Sequence, residues 1–369
     1  MATSYRSKRA TQRKTAPGNG SPTNGHPEVD ETAAPRSKYR IISLDGGGMR
    51  TLLSLGILKR IEQERPGFLD EVQLVAGTSA GAISALILAA ARSPSAGLDA
   101  ARNLWFAPGL FTIPFGNQVG ALVGAKALTP NEAMARALTD VLGDKTLADL
   151  HRHVIIPAFQ LDDRNPDEDL RGWRPRVFHN LPGDPFVQKG EYLVDLALRS
   201  SAMPIVSPVY QGYADGGLFA NNPTLAAVAQ ALYAKVTTRE ELRVLSLGTG
   251  DSVDYLEGYN ESWGYAKWLL DTKQPMAFVA ASIEANVEAI EFQTQMLLPP
   301  GSTLRVDPLV PFNLGSSVEQ QVATMDRIVK RFDLTSTLKW VDESGWMPPR
   351  RPRRAQASVT EETAEASPR

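Results

Sequence analysis

Cysteine is absent from this 369-residue chain, so disulfide bonds, thiol catalysis and cysteine-ligated metal sites are excluded. The sequence also lacks an apolar run of about 18 residues, which argues against a membrane-spanning helix. Basic residues near the N-terminus are not followed by an apolar region, so we expect no secretory signal and a cytoplasmic protein. The net charge of -2 gives no reason to expect nucleic acid as a partner.

Both ends of the chain lack periodic apolar residues and are rich in small polar and charged ones. We predict a disordered basic tail over residues 1–38 and a second disordered tail over residues 348–369. The basic clusters in these tails could contact anionic lipid headgroups, although solvated tails are the simpler interpretation. The remaining residues, 39–347, are long enough for a single large domain.

Strands and helices alternate between the two tails. Strands are predicted at 39–44, 72–76, 154–159, 176–178 and 243–247, and helices at 51–64, 80–92, 192–201 and 224–234. This alternation predicts an α/β fold with a largely parallel central sheet. Residues 104–128 differ, because prolines and glycines interrupt their apolar residues. That segment is either a cap over an apolar site or an irregular part of the core.

The stretch from Gly77 to Gly81 has the pattern G-x-S-x-G and lies between a predicted strand and a predicted helix. This context makes Ser79 a candidate nucleophile on a tight strand-to-helix turn. A side chain in place of either glycine would crowd the turn that presents the serine hydroxyl. Alone the pattern is a moderate signal, since glycine, serine and alanine are common residues.

A second element is the glycine run Gly46-Gly47-Gly48, which follows the first predicted strand. Exposed backbone N–H groups beside a helix N-terminus predict an anion-binding loop. With a candidate nucleophile one strand later, the anion would be the oxyanion of an acyl-transfer intermediate. Spacing excludes a dinucleotide fingerprint, because position 51 is Thr, and it also excludes a P-loop. A tight turn without a ligand is the alternative.

The chain has only four histidines, and none is well placed to serve Ser79 as a base. His26 lies in the predicted tail, and His151 and His153 come just before a predicted buried strand. The chain order Ser, Asp or Glu, His of α/β-hydrolases leaves a triad built on His179 as an alternative.

Asp215 is the preferred candidate for the base. It is followed by Gly216 and Gly217 in a loop of turn-forming residues, whose small size would let another loop approach the carboxylate closely. Burial would raise its pKa, and proximity to the serine would help further. As an isolated motif, Asp-Gly-Gly more often marks a β-turn.

Together these motifs resemble those of the patatin-like phospholipase family. That family combines Asp-Gly-Gly-Gly-x-Arg, G-x-S-x-G and a distant Asp-Gly-Ala or Asp-Gly-Gly, which this chain has at 45–50, 77–81 and 215–217. Further matches lie at 200–204, 221–223 and 245–250, so the motif-bearing part covers about 39–250. The departures are Met49 and Thr51, where the family often has Ile and Gly, and the final Gly of Asp-Gly-Gly.

The resemblance implies a patatin-like three-layer α/β/α sandwich with a mostly parallel central sheet, and a Ser–Asp dyad without histidine. It makes Ser79 the nucleophile and Asp215 the base. It assigns the oxyanion hole to Gly46, Gly47, Gly48 and Met49. Supporting positions in the same motifs are Asp45, Arg50, Gly77, Gly81, Gly216 and Gly217, with Asp45 and Arg50 expected to hold the glycine loop in shape. No metal or other cofactor is implied, and hydrolysis would be independent of calcium.

From these observations we predict a phospholipase A-type lipid acyl hydrolase that works through an acyl-enzyme. Its expected partners are a phospholipid or other acyl-lipid substrate, a membrane surface contacted peripherally, and a second copy of the chain in a homo-oligomer. The alternatives are a ligand-activated membrane-degrading effector of the same family, a general carboxylesterase, and a non-catalytic lipid-binding module. The C-terminal part, 251–347, is expected to be helical, with helices at 261–270 and 276–298, and either completes the sandwich or serves as a regulatory or oligomer face.

Overall fold

The computed structural model describes residues 37–111, 127, 129–183, 187, 189–252, 262–270, 277–311 and 313–348. The predicted disordered tails lie outside these residues, apart from 37–38 and 348. Most of the segment at 104–128 also lies outside them. The domain boundaries drawn from the sequence therefore stay predictions.

A mixed, mostly parallel sheet forms the centre of the described chain. Its strands and a small second sheet comprise β1 (Tyr39–Leu44), β2 (Leu74–Gly77), β3 (His153–Gln160), β4 (Arg174–His179), β5 (Tyr213–Asp215), β6 (Leu242–Leu247), β7 (Asp251–Ser252), β8 (Thr303–Val306) and β9 (Leu309–Val310). The spatial order is β4-β3-β2-β1-β6-β8, and β5 pairs with β3. Strands β1, β2, β3, β6 and β8 are parallel, whereas β4 and β5 run antiparallel to β3. Strands β7 and β9 pair separately.

The helices are α1 (Thr51–Glu64), α2 (Ala80–Ala90), α3 (Pro94–Leu104), α4 (Glu132–Leu142), α5 (Leu193–Ser200), α6 (Gly217–Ala220), α7 (Thr224–Tyr233), α8 (Tyr265–Leu270), α9 (Ala277–Leu297), α10 (Val318–Arg331) and α11 (Thr335–Glu343). Single 3-10 turns occur at Gly48–Arg50 and Leu147–Asp149. Among the described residues, none of the helices combines the length and the hydropathy that crossing a membrane requires.

Strand β1 shows how the sheet is covered on both faces. All six of its residues are buried, as expected for a strand inside a parallel sheet. Successive side chains point to opposite faces, so Ile42 and Leu44 belong to a core formed with α1, α2 and α3, whereas Ile41 packs with Ala227 and Val228 of α7. Helices therefore lie on both sides of the sheet, and the predicted three-layer α/β/α sandwich is confirmed.

Candidate active site

Strand β3 brings the ends of two other strands together. Its first residues, His153 to Ile155, pair with β2, and its last residues, Ala158 to Gln160, pair with β5. Strand β4 occupies the opposite edge of β3, so β5 lies on the same edge as β2. Because β5 runs antiparallel to β3 while β2 runs parallel to it, their C-terminal ends point toward each other. Ser79, just after β2, and Asp215, the last residue of β5, meet where the two strands end.

Ser79 lies on a sharp turn between β2 and α2. Its backbone has φ 55° and ψ -122°, a combination that residues other than glycine rarely adopt. A Cβ on Gly77 would lie 2.1 Å from the carbonyl oxygen of Gly81, and a Cβ on Gly81 would lie 2.2 Å from that of Leu44. The turn is therefore too tightly packed for a side chain at either glycine, as the sequence pattern suggests.

Ser200, the last residue of α5, holds this turn in place. Its Oγ accepts a hydrogen bond from the Ser79 N–H at 3.1 Å and donates one to the carbonyl oxygen of Pro157 at 2.6 Å. The side chain is completely buried, so water cannot replace these bonds. Sequence reasoning did not assign Ser200 to the site, although it lies in the matching segment 200–204.

Asp215 is buried, with 1% of its surface exposed. Its Oδ1 accepts a hydrogen bond from the Gly217 N–H at 2.7 Å. Burial raises the pKa of the carboxyl group to about 6, and the Gly217 N–H and the Ser79 hydroxyl act in the opposite direction. Oδ2 has no hydrogen bond of ordinary geometry within the described chain. The Ser79 hydroxyl and the Asp215 carboxyl group thus lie close together without a well-aligned hydrogen bond between them. Long or poorly aligned catalytic hydrogen bonds are common before substrate binds.

The glycine residues after β1 pack directly against the serine turn. The Gly46 N–H donates to the carbonyl oxygen of Asn221 at 3.1 Å, and the Thr249 hydroxyl donates to the carbonyl oxygen of Gly46 at 3.0 Å. A Cβ on Gly46 would lie 2.3 Å from Asn221 Oδ1 and 3.2 Å from Ser79 Cβ. A Cβ on Gly47 would lie 2.1 Å from Thr249 Oγ1. Neither position has room for a side chain.

Three of the four predicted oxyanion donors have N–H groups available for a ligand. Within the described residues, Gly47, Gly48 and Met49 have no hydrogen-bond acceptor for their N–H groups. Gly46 differs, because its N–H is already bonded to Asn221. Gly46 therefore provides close packing instead of a free donor.

Asp45 is joined to β8 by a buried ion pair. Its Oδ2 lies 2.8 Å from Nη2 of Arg305. Nη2 also donates to Asp307 Oδ2 at 2.6 Å, and Nη1 of the same side chain donates to Ser246 Oγ at 2.9 Å. Asp307 Oδ1 accepts from the Gly250 N–H at 2.8 Å. Burial raises the pKa of Asp45 to about 7, although Arg305 acts against it. The sequence suggested a structural function for Asp45 but did not identify Arg305.

Arg50 contacts the glycine loop through its backbone, because its N–H donates to the Gly47 carbonyl oxygen at 3.2 Å. Its side chain forms no hydrogen bond or ion pair with any described residue, and it lines the cavity that contains Ser79. Its guanidinium group is thus available to a ligand.

The cavity above Ser79 and Asp215 has a volume of about 430 Å³. Its apolar lining includes Ile83 of α2, Trp105 and Leu110 just after α3, Met134 of α4 and Leu198 of α5. Its charged lining includes Asp251 of β7, Glu284 of α9, Arg305 of β8 and Asp307 just after β8. Ile283 and Val287 of α9 line the cavity beside Glu284, so the lining combines an apolar part with a part in which charged and apolar residues are mixed.

His179 is not brought to Ser79. It ends β4, two strands from β2 in the sheet order, and it does not line the cavity. Its Nδ1 accepts from the Leu181 N–H at 3.3 Å, and its Nε2 lies 3.0 Å from Nε2 of Gln230. The structure therefore disfavours a triad built on His179. In the part of the chain that is described, no group of three or more His, Asp or Glu side chains is arranged to hold a metal ion.

Comparisons with known proteins show which family this chain is similar to. A family model described as patatin-like phospholipase matches residues 42–228. Protein teg of Priestia megaterium is 33% identical over 229 residues, which cover 62% of this chain and 68% of that protein. The cGAMP-activated phospholipase of Vibrio cholerae is 28% identical over 326 residues, which cover 77% of this chain and 85% of that protein. The crystal structure of VipD from Legionella pneumophila aligns with a TM-score of 0.40 at 13% identity, over 83% of this chain and 67% of that one.

Proposed function

Since the chain belongs to the patatin-like phospholipase family, we propose that it hydrolyses fatty-acyl esters of membrane lipids with Ser79 as nucleophile and Asp215 as base. One observation carries this proposal. The proposal is supported by the Ser79 hydroxyl lying close to the buried Asp215 carboxylate where β2 and β5 end, in a cavity lined by Gly47, Gly48 and Met49, whose N–H groups have no acceptor among the described residues.

In the first step Asp215 takes the proton of Ser79, and Oγ attacks the ester carbonyl. The developing oxyanion accepts hydrogen bonds from the N–H groups of Gly47, Gly48 and Met49. The carbonyl–oxygen bond breaks, and the alcohol or lysolipid leaves with the proton. In the second step Asp215 deprotonates water, which attacks the acyl carbonyl carbon. The bond from that carbon to Ser79 Oγ then breaks, Oγ takes the proton back from Asp215, and the fatty acid leaves. A pKa of about 6 makes Asp215 a stronger base than an exposed aspartate, while it is still ionised near neutral pH.

The lining of the cavity supports an amphiphilic substrate. Its apolar side, with Trp105, Leu110 and Met134, fits an acyl chain. Its other side contains charged residues, and Arg50 lines the same cavity without a side-chain partner among the described residues, so a polar headgroup can be accommodated next to the ester. A lipid ester satisfies both halves, whereas a small polar ester would leave the apolar half unused.

The test measures fatty-acid release from phospholipid vesicles and hydrolysis of a soluble short-chain p-nitrophenyl ester. We expect Ser79→Ala to abolish both activities, and Asp215→Ala to lower them by about 10²–10⁴-fold or more. Ser84→Ala is the matched control, because Ser84 is buried on α2, donates to the Ala80 carbonyl and does not line the cavity. Full activity in Ser79→Ala would refute the proposal.

A ligand-activated lipase is a second candidate. The similarity to the relative named as a cGAMP-activated phospholipase covers 77% of this chain, more than the family model matches. The assay should therefore be run with and without cGAMP, with Ser79→Ala as the blank. Equal rates in both conditions would exclude cGAMP as the activator.

A further inference from the structure

The loop between α5 and β5 combines cavity-lining residues with exposed aliphatic ones. Met203, Val206 and Ser207 line the cavity that contains Ser79. Ile205, Val206 and Val209 expose 56%, 41% and 56% of their surfaces. No charged residue occurs from position 200 to position 212. The loop thus presents aliphatic side chains to the outside directly beside the cavity.

The exposed conformation of this loop is held by specific hydrogen bonds. Ile205 has φ 73°, which is a genuine outlier for a β-branched residue. The Ser207 N–H donates to the Met203 carbonyl oxygen at 2.8 Å, and both the N–H and the hydroxyl of Thr129 donate to the Val206 carbonyl oxygen, at 2.8 and 2.9 Å. Strain that is maintained in this way is typical of functional segments. It leaves an isoleucine facing solvent, an arrangement that a partner surface would stabilise.

Two exposed aromatic residues lie on or next to the lining of the same cavity. Phe106 and Phe111, which follow α3, expose 50% and 40% of their surfaces, and Phe111 lines the cavity together with Val206. We name the set Phe106, Phe111, Ile205, Val206 and Val209 the apolar rim. Each member lines the cavity that contains Ser79 or lies within two positions in sequence of a residue that does.

We propose that the apolar rim inserts into the interfacial region of a phospholipid bilayer and docks the cavity mouth onto the membrane. This inference rests on the proposed function, because the acyl chain of a membrane lipid must pass from the hydrocarbon region of the bilayer into the cavity before its ester can reach Ser79. Apolar side chains at the mouth let the acyl chain pass without crossing water. The lack of charge between positions 200 and 212 favours lipid over a charged peptide partner.

Binding is tested on protein carrying Ser79→Ala, so that turnover does not change the vesicles. The probe is sedimentation with zwitterionic phosphatidylcholine vesicles, which minimises any contribution from basic segments. The variant Ile205→Asn/Val209→Asn removes two rim side chains that do not line the cavity, and Asn tolerates positive φ. We expect about tenfold weaker binding for each aliphatic side chain lost.

Tyr233→Asn is the matched control. Tyr233 is 63% exposed and ends α7 away from the cavity lining, so its variant should bind vesicles as the parent does. In protein with intact Ser79, the double rim variant should lose vesicle hydrolysis and retain hydrolysis of the soluble ester. That retained activity also shows that the variant is folded.

Two results would overturn the docking proposal: parent protein that does not sediment with vesicles, and a double variant that binds as tightly as Tyr233→Asn. A partner protein as the true occupant of the rim would appear as one of these results. Failure of the proposed function is distinguishable, because it appears as absent hydrolysis of the soluble ester, while docking is measured without turnover.

Discussion

Replacing Asp215 by Asn should inactivate the protein and stabilise it at neutral pH. Burial raises the pKa of Asp215 to about 6 in the folded chain, well above its value in an unfolded one. The folded state therefore holds this proton more tightly than the unfolded state. The resulting stabilisation is complete below the unfolded pKa of about 4 and is lost as the pH rises through about 6.

The size of this stability difference follows from the pKa shift of Asp215. A rise of about two pKa units corresponds to about 3 kcal/mol of unfolding free energy, which ionisation of Asp215 removes between pH 4 and pH 6. Asn is neutral and can keep the hydrogen bond from the Gly217 N–H. We therefore expect Asp215→Asn to exceed the wild type by up to about 3 kcal/mol at pH 8, with little difference near pH 4.

Urea unfolding of both proteins at pH 4, 6 and 8 measures this difference, and the soluble-ester assay measures the loss of activity in parallel. In the wild type, kcat/KM should rise with pH around an apparent pKa of about 6. If Asp215→Asn gains no stability at pH 8, ionisation of the buried Asp215 carboxyl group does not destabilise the wild type. A variant that retains full activity would show that Asp215 is not the base.

Two further substitutions test the groups that support the dyad. Ser200→Ala leaves the Ser79 N–H and the Pro157 carbonyl oxygen without the hydrogen bonds that Ser200 forms with them. We therefore expect a stability loss of about 2 kcal/mol and a fall in kcat of about 10- to 100-fold with KM nearly unchanged. An unchanged kcat would mean that the turn at Ser79 keeps its geometry without Ser200. Arg305→Met leaves Asp45 and Asp307 buried without a compensating charge and should lower the free energy of unfolding, measured in urea at pH 8, by about 3–5 kcal/mol. Adding Asp45→Asn should recover part of this loss. No recovery would contradict the importance of the ion pair between Asp45 and Arg305.

The elements that were correctly predicted are those with a strong local signal. Strand β1 and helix α1 match their predicted bounds. Most residues of β1 are apolar, as in a buried parallel strand, and α1 has apolar residues at helical spacing. Helix α3 was not predicted, although Ser93 caps it and Pro94 opens it. Strand β5 has only three residues, and its pairing with β3 determines it, so no local pattern could have revealed it.

The site shows the same division between local and long-range information. Ser79 and Asp215 are predicted from the sequence because each lies in a short motif that can be read along the chain. Arg305 and Ser200 act through contacts with residues far away in sequence, at Asp45 and at the Ser79 backbone. The bond from the Gly46 N–H to Asn221 is also long-range, and it occupies a donor that the glycine run alone predicts to be free. Motifs thus predict which residues meet, whereas tertiary contacts decide which of their atoms are free.

The proposed dyad depends on a balance of opposing influences at Asp215. Burial raises the pKa of this carboxyl group to about 6, while hydrogen bonds from the Gly217 N–H and the Ser79 hydroxyl act in the opposite direction. The bond from the Gly217 N–H to Oδ1, at 2.7 Å, is formed within the turn itself. Packing against β3 is a separate requirement, because a Cβ on Gly216 would lie 2.4 Å from the Pro157 carbonyl oxygen. The two glycines after Asp215 therefore allow the close packing that buries the carboxyl group and also supply a hydrogen-bond donor to it. In the dyad that we propose, β5 brings this carboxyl group to the serine in the place that a histidine base would otherwise take.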